Sequence, residues 1–535
     1  MMRIAVAQLD PVLGDFPGNV ERILAAAQAA QVQGAQLLIT PELALCGNPP
    51  LDYLRRLDFL QASENALADL TARAAQRVPG LRILVGHPEK STAGLYNAAS
   101  LLQSGKMQRV ARKTRLNTAS GYDESRYFSA GLPAQPFIMD GLRCVVSVGE
   151  EAIDPSQVDL QLVLNAAPFV MDQAAPPLPA GARIVCNLAG AQDEWAFSGA
   201  SLAHDAHGQM ALRLPEFCEA LGFIDLTQEP LQPPGEFPRL RLSSTQKSPV
   251  LDADVALYQA LVAGLAGYVR KNNFPGVLLG LSGGMDSALV LCIAVDALGA
   301  ERVQTVMMPS PYTAQMSLDD ARAMARHFGC RYDEIPIVPA MQTFKDMLDP
   351  LLSGLPLGLT EENLQSRFRG NLLMALSNQS GKLVLTTGNK SETAVGYCTL
   401  YGDTAGGFAV LKDVYKTRVY QLGRYRNSQP GGAPIPENIL TRAPSAELRP
   451  DQTDQDSLPD YAVLDAIAYA YLEKGRSARQ IIADGQPQEA VRRIVQLLRG
   501  AQYKRAQGPL GLRLSAQSFG SDWHYPLTQR YAEAF

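Results

Sequence analysis

A strand that runs into two adjacent glycines and then into an apolar helix restricts the fold of this chain more than any other feature. Gly276 to Leu281 reads as a buried strand, Ser282-Gly283-Gly284-Met285-Asp286-Ser287 as a turn, and Ala288 to Leu298 as a helix. A second strand, Val303 to Met308, follows at βαβ spacing, so the sheet must be parallel and covered by helices. Adjacent glycines let the backbone turn tightly and bring N–H groups close to an anion at a helix N-terminus. Ser282 and Ser287 can offer hydroxyls to phosphate oxygens, and Asp286 can hold a divalent cation. The loop matches neither GxxxxGK followed by Ser or Thr, nor GxGxxG. An aspartate without a lysine suits a pyrophosphate whose charge is met by metal and amides. A bare small-residue turn is the plain alternative, and the serines and the aspartate weigh against it.

The rest of the chain follows the same α/β logic. Its 535 residues are enough for two or three domains with full cores. In the first half, Ile4 to Ala7, Leu37 to Ile39, Ile83 to Val85, Leu142 to Val148, Val163-Leu164 and Ile184-Val185 read as strands. Val20 to Gln33 and Ala62 to Ala75 read as helices. Proline and polar residues without a sustained period mark a linker over 228–250, separating domains 1–227 and 251–535. The second domain opens with a helix, Ala253 to Val269, and the Pro/Asp-rich stretch Arg442 to Pro459 reads as a surface loop.

A net charge of -5 without a long basic run argues against nucleic acid. Seven scattered cysteines, an odd number set mostly in apolar runs, predict reduced thiols in a cytoplasmic protein rather than a disulfide frame. No signal peptide and no membrane span are expected.

Long blocks of the second half extend the glycine loop: LGLSGGMDSAL (279–289), FRGNLLMALSN (368–378), LTTGNKSETAVGYCTLYGD (385–403), LKDVYKTRVYQL (411–422), PSAELRPDQTDQDSLPDY (444–461) and YKRAQGPLGLRLSAQSFG (503–520). On these the chain resembles the ATP-pyrophosphatase superfamily and, within it, the NAD synthetases. The resemblance covers nearly the whole chain. It implies a doubly wound, adenine-nucleotide α-hydrolase-like ligase domain preceded by a nitrilase-like α-β-β-α sandwich that serves as glutaminase in two-domain members. It implies amidation of nicotinic acid adenine dinucleotide, with ATP as co-substrate, through an acyl-adenylate that ammonia attacks. By the same resemblance Gly280, Ser282, Gly283, Gly284, Asp286 and Ser287 hold ATP, with Thr387 near the nucleotide. Asp286 and Glu392 bind Mg2+, and Asn371, Lys412 and Lys504 line the dinucleotide side, with Asp286, Lys412 and Thr387 assigned to catalysis. Arg369 and Asp403 stand between structural and functional roles.

The first half carries an amidase layout with one member missing. Such chemistry needs a thiolate nucleophile, a carboxylate base and a cation for the oxyanion. By resemblance Glu42, in Thr40-Pro41-Glu42-Leu43, is the carboxylate and Lys113 the cation. Where the family has an apolar strand ending in Cys-Glu-Asp, this chain reads Val148-Gly149-Glu150-Glu151. Glycine cannot form an acyl-enzyme. Cys144 lies five residues upstream, about 16 Å along an extended strand, and Cys186 reads as a core thiol. Neighbouring blocks depart too. Asn165-Ala166-Ala167-Pro168-Phe169-Val170-Met171-Asp172 lacks the family's serine and following cations, and Leu116-Asn117-Thr118-Ala119 replaces Leu-Pro-Asn-Tyr. The reading is an NAD synthetase fed by free ammonia, with a vestigial glutaminase domain kept for assembly or support, and a homo-oligomer. The alternative is glutamine dependence through another nucleophile or an ammonia-supplying partner. A nucleotide sensor would require damaged ligase blocks.

Overall fold

The computed structural model describes residues 2–118, 121–151, 153–154, 156–173, 181–228, 240–352, 358–520, 522–531 and 533–535. The chain divides into two compact units, Met1–Asp252 and Ala253–Phe535. Part of the expected linker, 229–239, lies outside the described residues, as does Ala119. Leu240–Ser243, read as linker, is an edge strand.

The first unit stacks two sheets. The seven-stranded sheet runs in the order Leu240–Ser243, Ala220–Gln228, Met2–Gln8, Leu37–Ile39, Arg82–Ser91, Gly94–Gln103, Lys106–Arg112. The six-stranded sheet runs Met210–Arg213, Leu202–His204, Ala182–Asn187, Leu160–Asn165, Leu142–Val148, Phe137–Met139. Alternation along the strands sends Ile4, Val6, Val146, Val148, Leu162, Leu164 and Ile184 into one core between the sheets. The other side of the seven-stranded sheet, with Ala5, Ala7 and Leu38, is sealed by the helices Phe16–Val32 and Leu57–Arg77. Among the described residues no α-helix lies in the segments after Val148 and Asn165, of which 152, 155 and 174–180 lie outside the described residues.

The second unit has an all-parallel sheet in the order Arg331–Glu334, Val303–Met307, Val277–Gly280, Leu383–Thr386, Phe408–Ala409. The helix Met285–Leu298 packs on the strands Val277–Gly280 and Val303–Met307 and against the helix Ala253–Lys271. The helix Leu359–Ser380 joins Leu278, Val306 and Val384 through Phe368 and Leu373. Strand order reverses between Val277–Gly280 and Leu383–Thr386. That is the switch point where open α/β sheets bind ligands. Among the described residues no helix is long and apolar enough to cross a membrane.

Candidate functional site

The glycine loop leaves the sheet at this switch point and borders a cavity of about 1010 Å³. Within the loop, Gly284 N donates to Ser282 Oγ (3.2 Å). Ser287 Oγ accepts from Ser282 N (3.2 Å) and donates to Gly284 O (3.0 Å). These bonds fold the loop back on the first turn of the helix Met285–Leu298, so amides and hydroxyls converge at its positive end.

One cation and two carboxylates sit beside the loop. Lys416 pairs with Asp286 and lies 3.2 Å from Glu392. Asn389 caps the helix Lys390–Val395. Its side chain accepts from Glu392 N (3.0 Å) and donates to Asp286 Oδ1 (2.9 Å). Burial pushes Glu392 up to about 8; Lys416 opposes the shift and the charge of Asp286 adds to it. Burial alone would lower Lys416, but Asp286 and Glu392 outweigh it and hold the ammonium above the ordinary lysine range.

This donor set fits a hard divalent cation, because two adjacent carboxylates, one held back from ionising, gain most from added positive charge. Among the described residues no three or more His, Cys, Asp or Glu side chains converge as a metal cage. Magnesium typically takes one or two carboxylates and completes its shell with substrate phosphates and water.

Gly280, Ser282, Gly284, Asp286, Ser287, Thr387, Glu392 and Lys504 all border the cavity. Lys504 Nζ donates to Gly396 O (2.7 Å) and Cys398 O (2.6 Å). Gly283 is turned away, with φ of 77°. Two expected residues are not brought to the cavity. Asn371 is exposed, because it follows the cavity-facing Gly370 and each helical residue turns about 100° from the last. Lys412 donates to Pro509 O (2.7 Å) and does not line the cavity. Arg369 does line it, donates to Met308 O (3.0 Å), and is lowered to about 10 by burial. Asp403 borders it too, but its carboxylate accepts from Thr399 N (2.6 Å), which holds a turn.

Lys416 was missed by the sequence reading. Its signal is position: it stands in the first turn of the helix Lys416–Asn427, where a cation opposes the helix dipole unless anions lie nearby. The segment Arg442 to Pro459, expected at the surface, also borders the cavity through Arg442, Glu447, Gln452 and Asp454.

A second charge cluster lies in the first unit. Glu42 follows the strand Leu37–Ile39, Lys113 follows Lys106–Arg112, and Gly149 follows Leu142–Val148. Lys113 Nζ is 2.7 Å from Glu42 Oε1 and 2.9 Å from Glu124 Oε2. Asn97 Nδ2 donates to Glu42 Oε1 (2.6 Å). Burial raises Glu42; Lys113 opposes that shift and Glu124 reinforces it. Burial would lower Lys113, yet the two glutamates together raise it. Glu124, at the start of the short helical turn Glu124–Arg126, is thus a second carboxylate that the sequence reading did not assign.

Gly149 has φ of 75°, and its N–H donates to Leu164 O (2.8 Å). A Cβ added there would lie 2.9 Å from Lys113 Cε and 3.4 Å from its Nζ. Position 149 therefore faces the lysine directly, and the lysine stem fills the space beside it. Cys144 pairs in register with Leu160, at the start of the same strand, and burial pushes its thiol up to about 12. Cys186 donates to Ala7 O (3.2 Å), and Cys46 to Gly47 O (3.2 Å); burial raises both thiols. Burial disfavours the thiolate at all three.

The model of the NAD synthase family matches residues 257–508, and that of carbon–nitrogen hydrolases residues 3–168. A glutamine-dependent NAD(+) synthetase from Thermotoga maritima is 39% identical over 574 residues, covering 99% of both chains. One from Acinetobacter baylyi is 40% identical, covering 98% of both. Among solved structures, a glutamine-dependent NAD+ synthetase from Acinetobacter baumannii in complex with ADP superposes with a TM-score of 0.75 at 37% identity, covering 98% of both chains. The enzyme of that name from Cytophaga hutchinsonii, at 19% identity, shares the fold with a TM-score of 0.82, over 99% of this chain and 98% of that one.

Proposed function

Given that the chain belongs to the NAD synthetase family, in its two-domain form with a nitrilase-like unit, we propose that it amidates nicotinic acid adenine dinucleotide with free ammonia as the direct nitrogen source. The nicotinate carboxylate attacks the α-phosphorus of ATP and displaces pyrophosphate. Ammonia then adds to the acyl carbon of the adenylate. AMP leaves with the bonding pair, and the nitrogen sheds a proton to give the amide.

The cavity at the sheet's switch point supports the first step. Ser282, Gly284 and Ser287 offer hydroxyls and amides to the phosphates, and Lys416 neutralises charge as pyrophosphate departs. Asp286 and Glu392 would hold magnesium, which supplies charge neutralisation at the phosphate oxygens when bound. Thr387 and Lys504, on the cavity wall, contact the nucleotide substrates.

The nitrogen source rests on Gly149. Glu42 and Lys113 stand in place, but the residue facing them has no side chain; the thiols of Cys46, Cys144 and Cys186 are buried, which raises them, and Cys218 is exposed. A different reading draws on the relatives, which are named glutamine-dependent. Their names favour glutamine, used through another nucleophile or through ammonia from a partner, and none of them supports an ammonia-only enzyme. A glutamine-analogue electrophile separates the two. Intact mass unchanged after treatment, with no glutamate released from glutamine, supports ammonia. A stoichiometric adduct on a thiol of the first unit other than the exposed Cys218, together with glutamate released from glutamine, would establish a working thiol.

A further inference from the structure

The peptide between Gly283 and Gly284 joins two residues without a Cβ, so its plane is less sterically restrained than others in the loop. A trans peptide points its C=O and N–H to opposite sides. In the observed orientation Gly284 N donates to Ser282 Oγ (3.2 Å), which in turn meets Ser287 Oγ (3.1 Å) at the cavity edge; the flipped orientation would break that bond and turn a carbonyl oxygen toward the serines.

Three elements outside the loop fix that orientation. Arg442 Nη2 donates to Gly283 O (2.9 Å), and its Nη1 donates to Ser317 Oγ (2.9 Å). Ser317 Oγ donates in turn to Glu447 Oε1 (2.6 Å), whose second oxygen accepts from Ala314 N (3.3 Å). The Arg442 and Glu447 side chains are 3.7 Å apart. Gly283 also packs directly on the helix Gln315–Phe328: a Cβ there would sit 2.8 Å from Ser317 Cα. Ser282 and Gly284 border the cavity whereas Gly283 does not, as expected if its carbonyl is held outward.

We infer that Arg442, held by Ser317 and Glu447, is a positioning residue that locks the Gly283–Gly284 peptide with its N–H on Ser282 Oγ, so that the Ser282 and Ser287 hydroxyls stay set for the ATP phosphates. The inference rests on the reading of this loop as the ATP phosphate cradle. Arg442 acts through a backbone carbonyl, and Ser317, which does not line the cavity, holds Arg442 rather than substrate.

The test measures ATP and AMP affinity by calorimetry on the full chain, for wild type, R442Q, R442K, S317A and the double variant R442Q/S317A. A lock predicts that R442Q weakens ATP about tenfold while AMP, with a single phosphate, changes less than about twofold. S317A should weaken ATP in the same sense, the double variant should be no worse than R442Q, and R442K should recover part of the loss. Unchanged ATP affinity in S317A beside a large loss in R442Q would overturn the lock in favour of direct contact between Arg442 and phosphate. Equal losses for ATP and AMP would overturn it in favour of general loop damage. Absence of ATP binding by wild type would remove the cradle reading itself.

Discussion

The two units each hold a lysine between two carboxylates, yet the arrangements differ in what faces them. In the second unit Lys416 lies between Asp286 and Glu392, and the cluster opens on a cavity of about 1010 Å³. In the first, Lys113 lies between Glu42 and Glu124, and its stem packs over Gly149. A buried ion cluster alone does not make a catalytic site. Chemistry needs a further group to accept or attack: serine hydroxyls and amides border one cluster, and the glycine at position 149 offers no side chain to the other.

The sharpest way to break this comparison is to remove the carboxylate that anchors the ligase cluster. Asp286→Asn should reduce ammonia-driven NAD formation on the order of a hundredfold or more, read in steady-state kinetics. Glu42→Gln and Lys113→Met should leave that rate within about twofold. Comparable losses in both units would mean that the first still takes part in catalysis.

Adding a thiol at position 149 sharpens the comparison further. Gly149→Cys puts a side chain at φ of 75°, which strains the backbone, and brings its Cβ to 2.9 Å from Lys113 Cε, so the end of the lysine must shift. The expected outcome is one additional alkylatable thiol by mass spectrometry, more reactive than the buried native ones because Lys113 favours the thiolate. Glutamate release should stay low, since the serine and cations that help hold glutamine are also replaced. Brisk glutamine hydrolysis would show that only the nucleophile was lost.

Smaller effects are expected at residues that the structure moves out of the site. Asn371→Ala and Lys412→Met should change kcat by less than about twofold, whereas Lys416→Met should cost far more. The smallest effect is alkaline. Lys113 is raised in the folded state, so its contribution to stability is complete below the ordinary lysine value of about 10.4 and fades as pH climbs through the folded value. A melting series above that range should fall less steeply in Lys113→Met than in wild type.

Local pattern made much of this legible. The strand into Ser282 and the apolar helix after it are short-range features, and the helix Met285–Leu298 begins three residues before the expected Ala288. Glu42, Lys113 and Gly149 were singled out by resemblance, each in a block like the family's; the strand Lys106–Arg112 that leads into Lys113 was not among the expected strands. What escaped depends on distant packing. Lys416 and Lys412 share one block, and only the register of the helix Lys416–Asn427 decides which meets Asp286. The polar segment after Arg442 looked solvated because polar residues line a nucleotide cavity as readily as a surface.

The central claim is that the ligase site works while the amidase site has no nucleophile. Its most direct test is NAD formation by purified protein with ATP, magnesium and nicotinic acid adenine dinucleotide, comparing ammonium chloride with glutamine freed of ammonia. The account predicts turnover with ammonium, with AMP formed in equal amount, and none above background with glutamine. Comparable turnover with glutamine would contradict it and place a working nucleophile elsewhere in the chain.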